Sequence, residues 1–172
     1  MIFVRDKGRM CNNILQYGHL YAWARANNRK TVSMRFAYKY QYFHICRTRW
    51  HNFFVYLFAK YAAQLKLIPT VTFDTPDEDL TEKEKAMRRG CLVAEGWFAR
   101  WYDLFLQYKP EILFLFAFDS HIESKVTSLL ETSSKEGIIR LGVHIRRGDY
   151  ATWNNGRFLY DDKQMINIIR QF

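Results

Sequence analysis

Two arginines in succession, Arg146 and Arg147, stand between His144 and Asp149. A guanidinium is planar, permanently charged and forked, so it matches a phosphate better than a lysine does. Two side by side can face a diphosphate or clamp it from two sides. Asp149 can orient one of them. His144 can donate a hydrogen bond if it sits on a rigid element. The plainer alternative is an Arg–Asp ion pair that closes a loop. The tripeptide Arg147-Gly148-Asp149 also has the composition of an adhesion motif, but three common residues recur by chance.

The element that must position these groups is Ile138 to Asp149. Ile139, Leu141, Val143 and Ile145 alternate with Arg140, Gly142, His144 and Arg146, which predicts a buried strand of period two. Gly148 permits a sharp turn after it. Such a strand carries His144 and Arg146 to its carboxyl end and Arg147 and Asp149 into the next loop. In open α/β sheets, ligands bind at the carboxyl ends of strands.

His144-Ile145-Arg146-Arg147-Gly148-Asp149 resembles the His-x-Arg-Arg-x-Asp motif of fucosyltransferases that use GDP-fucose. A second resemblance lies at the amino terminus. The α-1,2-fucosyltransferase family has Gly-x-Gly-Asn-Gln before an apolar helix, and this chain has Gly8-Arg9-Met10-Cys11-Asn12-Asn13. Cys11 stands where the family has glycine and Asn13 where it has glutamine. Protein O-fucosyltransferases are similar too, with Arg and Asn at the positions of Arg9 and Asn12, where both face the donor. A third, weaker match is Gly96-Trp97-Phe98 with Trp101-Tyr102, followed by a helix containing Glu111.

Read by itself, the Gly8 loop is a helix N-terminus with free backbone N–H groups and a positive dipole end. Arg9 and Asn12 could touch a phosphate or a sugar hydroxyl there, or the loop could be an ordinary capped helix start. Around it, Met1 to Arg5 predicts a strand, Asn12 to Ala26 a helix capped by Asn12, and Thr31 to Phe36 a second strand. That is a βαβ opening. Further on, Trp50 to Leu65 predicts a helix whose Trp50, Phe53, Phe54, Leu57, Phe58, Tyr61, Ala62 and Leu65 form a wide core-facing stripe. Basic residues beside it leave a membrane-surface role open. Leu67 to Phe73 predicts a short strand, Thr75 to Gly90 a helix capped by Thr75 and Glu78, and Cys91 to Glu95 a buried strand. Ser120 to Leu130 predicts a helix capped by Ser120 and Glu123, Thr132 to Gly137 a loop, Asn155-Gly156 a turn, and Asp161 onward a final helix.

The chain has 172 residues and a formal net charge of +9, which favours anionic partners: nucleotide diphosphates, nucleic acid or an anionic membrane. No nucleic-acid-binding motif is present. Cys11, Cys46 and Cys91 are odd in number and show neither metal spacing nor a disulfide framework. They favour a reducing, cytoplasmic setting, with peripheral membrane contact left open. The apolar start, four residues long, is too short for a signal peptide or an anchor.

The resemblance implies an α/β fold: the Rossmann-like, acceptor-side domain of a GT-B glycosyltransferase over residues 1–136. Residues 137–172 would be only the beginning of a second, nucleotide-sugar-binding domain, as in a truncated enzyme. It also implies transfer of fucose from GDP-fucose to a glycan hydroxyl with inversion. His144, Arg146, Arg147, Arg9 and Asn12 would bind the donor. Arg146 and Arg147 would stabilise the leaving diphosphate, and Asp149 would hold them. No metal or other cofactor is expected, since the arginines would take the place of the divalent metal that other glycosyltransferases use. Asp6 suits a general base by position only, as most aspartates beside a strand end are solvated surface. A non-catalytic glycan-binding or assembly domain of the same lineage remains the alternative, and a basic nucleic-acid-binding module a more distant one.

Overall fold

Ile2, Phe3 and Val4 are all buried, as a strand in the middle of a parallel sheet demands. A computed structural model of the protein describes residues 1–76, 79–132, 141–145 and 147–171. Strand β1 (Ile2–Arg5) pairs in parallel with β2 (Thr31–Ser33) on one side and with β4 (Leu92–Gly96) on the other. β4 pairs in parallel with β3 (Thr70–Phe73). The order is β2-β1-β4-β3. The described residues thus form an α/β fold with one four-stranded parallel sheet and seven α-helices, compatible with a Rossmann-like fold.

Alternation divides the sheet into two faces. Ile2, Val4, Leu92 and Ala94 share a core with Tyr17, Leu20 and Trp23 of helix α1 (Met10–Ala26). Met87, in α3 (Thr81–Met87), joins the same core. Helices α4 (Tyr102–Gln107) and α5 (Lys109–Leu115) pack against α1 on that side. Phe3, Val32 and Val93 point the other way, onto α2 (Phe53–Gln64).

Helix α2 turns a different face to the sheet than the sequence predicts. Its buried residues are Ala59 and Ala62, of which Ala62 belongs to the expected stripe, with Val55, Tyr56 and Ala63 packed nearby. The large residues of the expected core stripe lie outside: Phe54 is 81% exposed and Leu65 68%. Small side chains let the helix axis approach the sheet closely, so Ala outcompetes Phe for the inner face.

Several helix starts also differ. Asn12 does not cap α1; the helix begins at Met10 after Arg9, with no side-chain cap. Asp119, and not Ser120, caps α6 (Ser120–Thr132), accepting a hydrogen bond from His121 N–H at 3.1 Å. For α3 the Asp79 carboxylate accepts from Thr81 N–H at 2.9 Å; Glu78 of the expected capping box lies outside the described residues. The aromatic run after Phe36 is largely core, with Phe36 and Phe43 buried against Phe116.

The chain divides into Met1–Glu131 and Thr132–Phe172. In the second unit, the predicted strand is not formed over residues 141–145, which take neither helix nor strand. Leu141, Val143 and Ile145 are each more than two-fifths exposed. The alternation is present, but no other strand is described in this unit to satisfy the backbone groups, and a lone strand is not stable. The start of the segment, and the Thr132–Gly137 loop beyond the end of α6, lie outside the described residues. Two 3-10 turns follow, Gly148–Ala151 and Trp153–Gly156, then helix α7 (Asp162–Gln171). Gly148, Asn154, Asn155 and Gly156 all have positive φ, so the expected turns are present. Among the described residues, no helix is long and apolar enough to cross a membrane.

Candidate functional site

Ligands of an open parallel sheet bind at the carboxyl ends of its strands. Those of β1 and β4 lie side by side in the middle of the sheet. Arg5 and Glu95 are register partners there and form an ion pair at 3.0 Å.

The loop after β1 and the loop after β4 meet there. Gly8 has φ +89, and a Cβ on it would lie 3.0 Å from Asn12 Nδ2 and 3.2 Å from the Trp97 ring. Two of the stretches that carry the family resemblance are thus in contact. Arg9 and Asn12 are exposed in the cap and first turn of α1, a turn without an acidic residue. An anion could meet free N–H groups, a guanidinium and an amide at this end. Cys11 sits inside the helix, where no glycine is needed.

Helix α1 holds both loops with buried polar side chains. Gln16 accepts from Lys7 N–H at 3.2 Å and donates to Lys7 C=O at 2.7 Å. This amide clamp draws the loop in and lets the helix start at Met10. One turn on, His19 Nδ1 accepts from Trp101 N–H at 3.1 Å. Burial pushes the His19 pKa down to about 4, and nearby Arg100 adds to this. His19 is therefore neutral at pH 7, as an acceptor nitrogen requires. Asn13 is fully buried, with neither amide atom partnered. Replacing Gln16 by Leu is expected to strand the Lys7 N–H and C=O and to cost about 1–3 kcal/mol in urea unfolding. An unchanged midpoint would show that the clamp carries no stability.

A cavity of about 300 Å³ opens at the carboxyl ends of β1 and β2, lined by Arg5, Asp6, Arg35, Tyr38, Tyr56 and Lys60 among others. Tyr38 and Tyr56 lie 4.4 Å apart by ring centroid. Arg35 donates to the Tyr38 hydroxyl at 3.0 Å and to Asp6 C=O at 3.3 Å. Aromatic faces and cations around a polar floor suit a hydroxylated or anionic ligand. The sequence reading did not find this cavity. Its residues come from the ends of two strands and from a helix distant in sequence, and only the position of Asp6 after a strand signalled it.

Asp6 is not solvated surface, as expected of an aspartate beside a strand end, but 1% exposed. The Ser33 hydroxyl donates to Oδ2, while Oδ1 is buried without a partner. Burial pushes the carboxyl up to about 8, against the lowering effect of Ser33 and Arg35. Asp6, Ser33 and His51 are neighbours, yet they do not form a nucleophilic triad. His51 Nε2 accepts from the backbone N–H of Ser33 at 2.9 Å, not from its hydroxyl. The Ser33 hydroxyl is committed to Asp6, and His51 Nδ1 faces Thr48 Oγ1 at 2.6 Å. Burial pushes His51 down to about 4. The arrangement locks the end of β2; it does not activate an oxygen.

In the second unit, Arg146 lies outside the described residues. Arg147 is exposed and ion-paired with Asp162 at the start of α7, a partner the motif does not anticipate. Asp149 is exposed in the first 3-10 turn. His144 lines a cavity of about 540 Å³ with Tyr150, Trp153, Phe158 and Tyr160. The rings of Trp153 lie 5.3 Å from Tyr150 and 5.5 Å from Phe158. Among the described residues, no three His, Cys, Asp or Glu side chains gather as a metal site.

Comparison with protein-family models, with curated proteins and with solved structures gives no match.

Proposed function

We propose that the chain belongs to the lineage of GDP-fucose-dependent fucosyltransferases with a GT-B architecture, its first unit serving the acceptor side. The observation that supports this reading most is the close approach of the Gly8 loop to Trp97 beside the carboxyl ends of β1 and β4. Two stretches far apart in sequence resemble the family, and the fold joins them where a parallel sheet binds ligands.

In the proposed reaction an acceptor hydroxyl oxygen attacks the anomeric carbon of GDP-fucose. The new C–O bond forms as the bond to the diphosphate breaks, with inversion, and the hydroxyl proton passes to a base. The leaving diphosphate gains charge, which Arg146 and Arg147 would stabilise without a metal. Arg9 and Asn12 would meet the donor at the α1 N-terminus, and Asp149 would steady the arginine loop. The aromatic cavity beside His144 would take a flat ring or a sugar face. Asp6 in its buried position accepts from the Ser33 hydroxyl, and its backbone carbonyl orders Arg35. The alternative, a glycan-binding domain of the same lineage without transfer, shares every feature of the first unit.

Calorimetry with GDP and GDP-fucose tests the proposal. Saturable binding is expected, and the substitution Arg146→Ala should weaken it at least about tenfold, the scale of one charge-assisted phosphate contact. A folded chain that binds neither ligand would remove donor use from the reading.

A further inference from the structure

Helix α2 has two apolar faces. The inner one is built of small residues and covers the sheet. The outer one carries Phe54, Phe58, Tyr61 and Leu65 at successive helical turns, each more than half exposed, and Leu67 follows at 73%. At roughly 150–250 Å² per aromatic side chain, the patch reaches or exceeds the ~300–600 Å² that a typical monomer leaves open. Phe54, Phe58 and Leu65 have no side-chain hydrogen-bonding group, so the centre of the patch offers a partner nothing polar.

The charges beside it have one sign. Between Asp6 and Asp74 the sequence contains no acidic residue, and every charged side chain is Lys or Arg. Arg49 lies over the exposed Trp50 ring at 5.0 Å, and Lys60 over Tyr61 at 5.4 Å. Lys66 follows directly after the helix. Trp and Tyr at the margin, an aliphatic and phenyl centre, and cations alongside are what a helix lying in a lipid interface presents.

We infer that the outer face of α2 docks the protein on an anionic lipid surface. The charge pattern separates this occupant from a second copy of the chain. A two-fold contact would put the same patch against itself, bringing Arg49, Lys60 and Lys66 toward like charges. Lipid headgroups supply the opposite sign, and acyl chains accept phenyl groups that need no partner. An acidic protein would satisfy the cations but would have to cover a convex apolar ridge without hydrogen bonds. This inference is independent of the reaction proposed above, because none of the docking residues belongs to the donor motifs.

The test is co-sedimentation of the whole chain with vesicles of equimolar phosphatidylglycerol and phosphatidylcholine, and with phosphatidylcholine alone. The protein should pellet with the first, much less with the second, and less at high salt. The double substitution Phe54→Ser with Leu65→Ser should lower partitioning about tenfold or more. Its circular dichroism should not change, since both side chains are exposed. Charge reversal by Arg49→Glu with Lys66→Glu should lower binding to anionic vesicles while leaving the apolar ridge in place. Equal binding by parent and Phe54/Leu65 variant would overturn the inference. So would absence of vesicle binding, whether or not sedimentation velocity shows a dimer that this variant dissolves.

Discussion

At pH 8 the substitution Asp6→Asn is expected to stabilise the first unit by several kcal/mol, on the order of 5 at about 1.4 kcal/mol per pH unit, and near pH 4 to change it little. The parent carboxyl titrates at about 8 in the fold against an ordinary 3.8. The folded state therefore holds its proton more tightly than the unfolded chain does. Stability from that proton is complete below about pH 3.8 and drains away as pH rises through 8. His19 and His51 act in the opposite sense. Both are held near 4 against an ordinary 6.5, so their contribution is complete above pH 6.5 and is lost as pH falls through 4. Between pH 4 and 6.5 two histidines outweigh one carboxyl; above 6.5 only Asp6 acts. Parent stability should thus peak near pH 6.5 and fall on the alkaline side by about 1.4 kcal/mol per pH unit. The Asn variant still accepts from Ser33 through its amide oxygen, keeps the acid limb and loses the alkaline one. Urea unfolding across this range, followed by tryptophan fluorescence, measures both limbs. Parallel curves for parent and variant would mean that Asp6 is already ionised in the fold.

Gly96→Ala is expected to act in the opposite sense and destabilise the first unit strongly. Gly96 ends β4 with φ +119, and a Cβ there would lie 2.3 Å from the Phe73 carbonyl oxygen and 2.6 Å from the Phe73 nitrogen. Both neighbours are backbone of the paired strand β3, so neither can rotate away. Either the β3–β4 pairing opens or the following Trp97 loop moves. A loss on the order of 3 kcal/mol or more is expected, which in a single small unit shows as aggregation on expression or a sharply lowered unfolding midpoint. Gly90→Ala is the control. Gly90 has φ +50, but a Cβ there meets nothing within 4 Å, leaving only the left-handed backbone penalty of about 1 kcal/mol. If the two variants were equally stable, the Phe73 contact would not be limiting.

Much of the first unit was legible in the sequence because short parallel strands buried on both faces are apolar runs. Ile2–Val4 and Leu92–Ala94 stand out in that way, and α1 lies between turn residues. The inner face of α2 was not legible. Both Phe54-Phe58-Tyr61-Leu65 and Val55-Ala59-Ala62 keep helical spacing, and ranking by hydrophobicity selects the first. The sheet selects the second: Phe3, Val32 and Val93 cluster with Ala59, and Val55, Tyr56 and Ala63 pack beside them. The alternation through Ile145 failed for another reason: a strand pattern specifies a face but cannot supply a neighbour. Gly8, Arg9 and Asn12 were singled out by motif spacing, and the fold places them at the start of α1 with Gly8 beside Trp97. The cavity around Arg35, Tyr38 and Tyr56 was not, since its wall is assembled from elements that no local pattern connects.

The amide pair held by α1 sets a timetable for isotope exchange. Lys7 N–H and Trp101 N–H belong to different loops, yet each donates to a side chain of the same helix, Gln16 and His19. Loop amides ordinarily exchange through small local fluctuations, each with its own rate. These two are released when α1 lifts from the sheet, so their protection factors should match each other and that of the Leu20 amide in the helix core. Protonation of His19 below pH 4 would free Trp101 alone. Acid would therefore split one opening event into two, and the β4 loop would become labile while the β1 loop stayed closed.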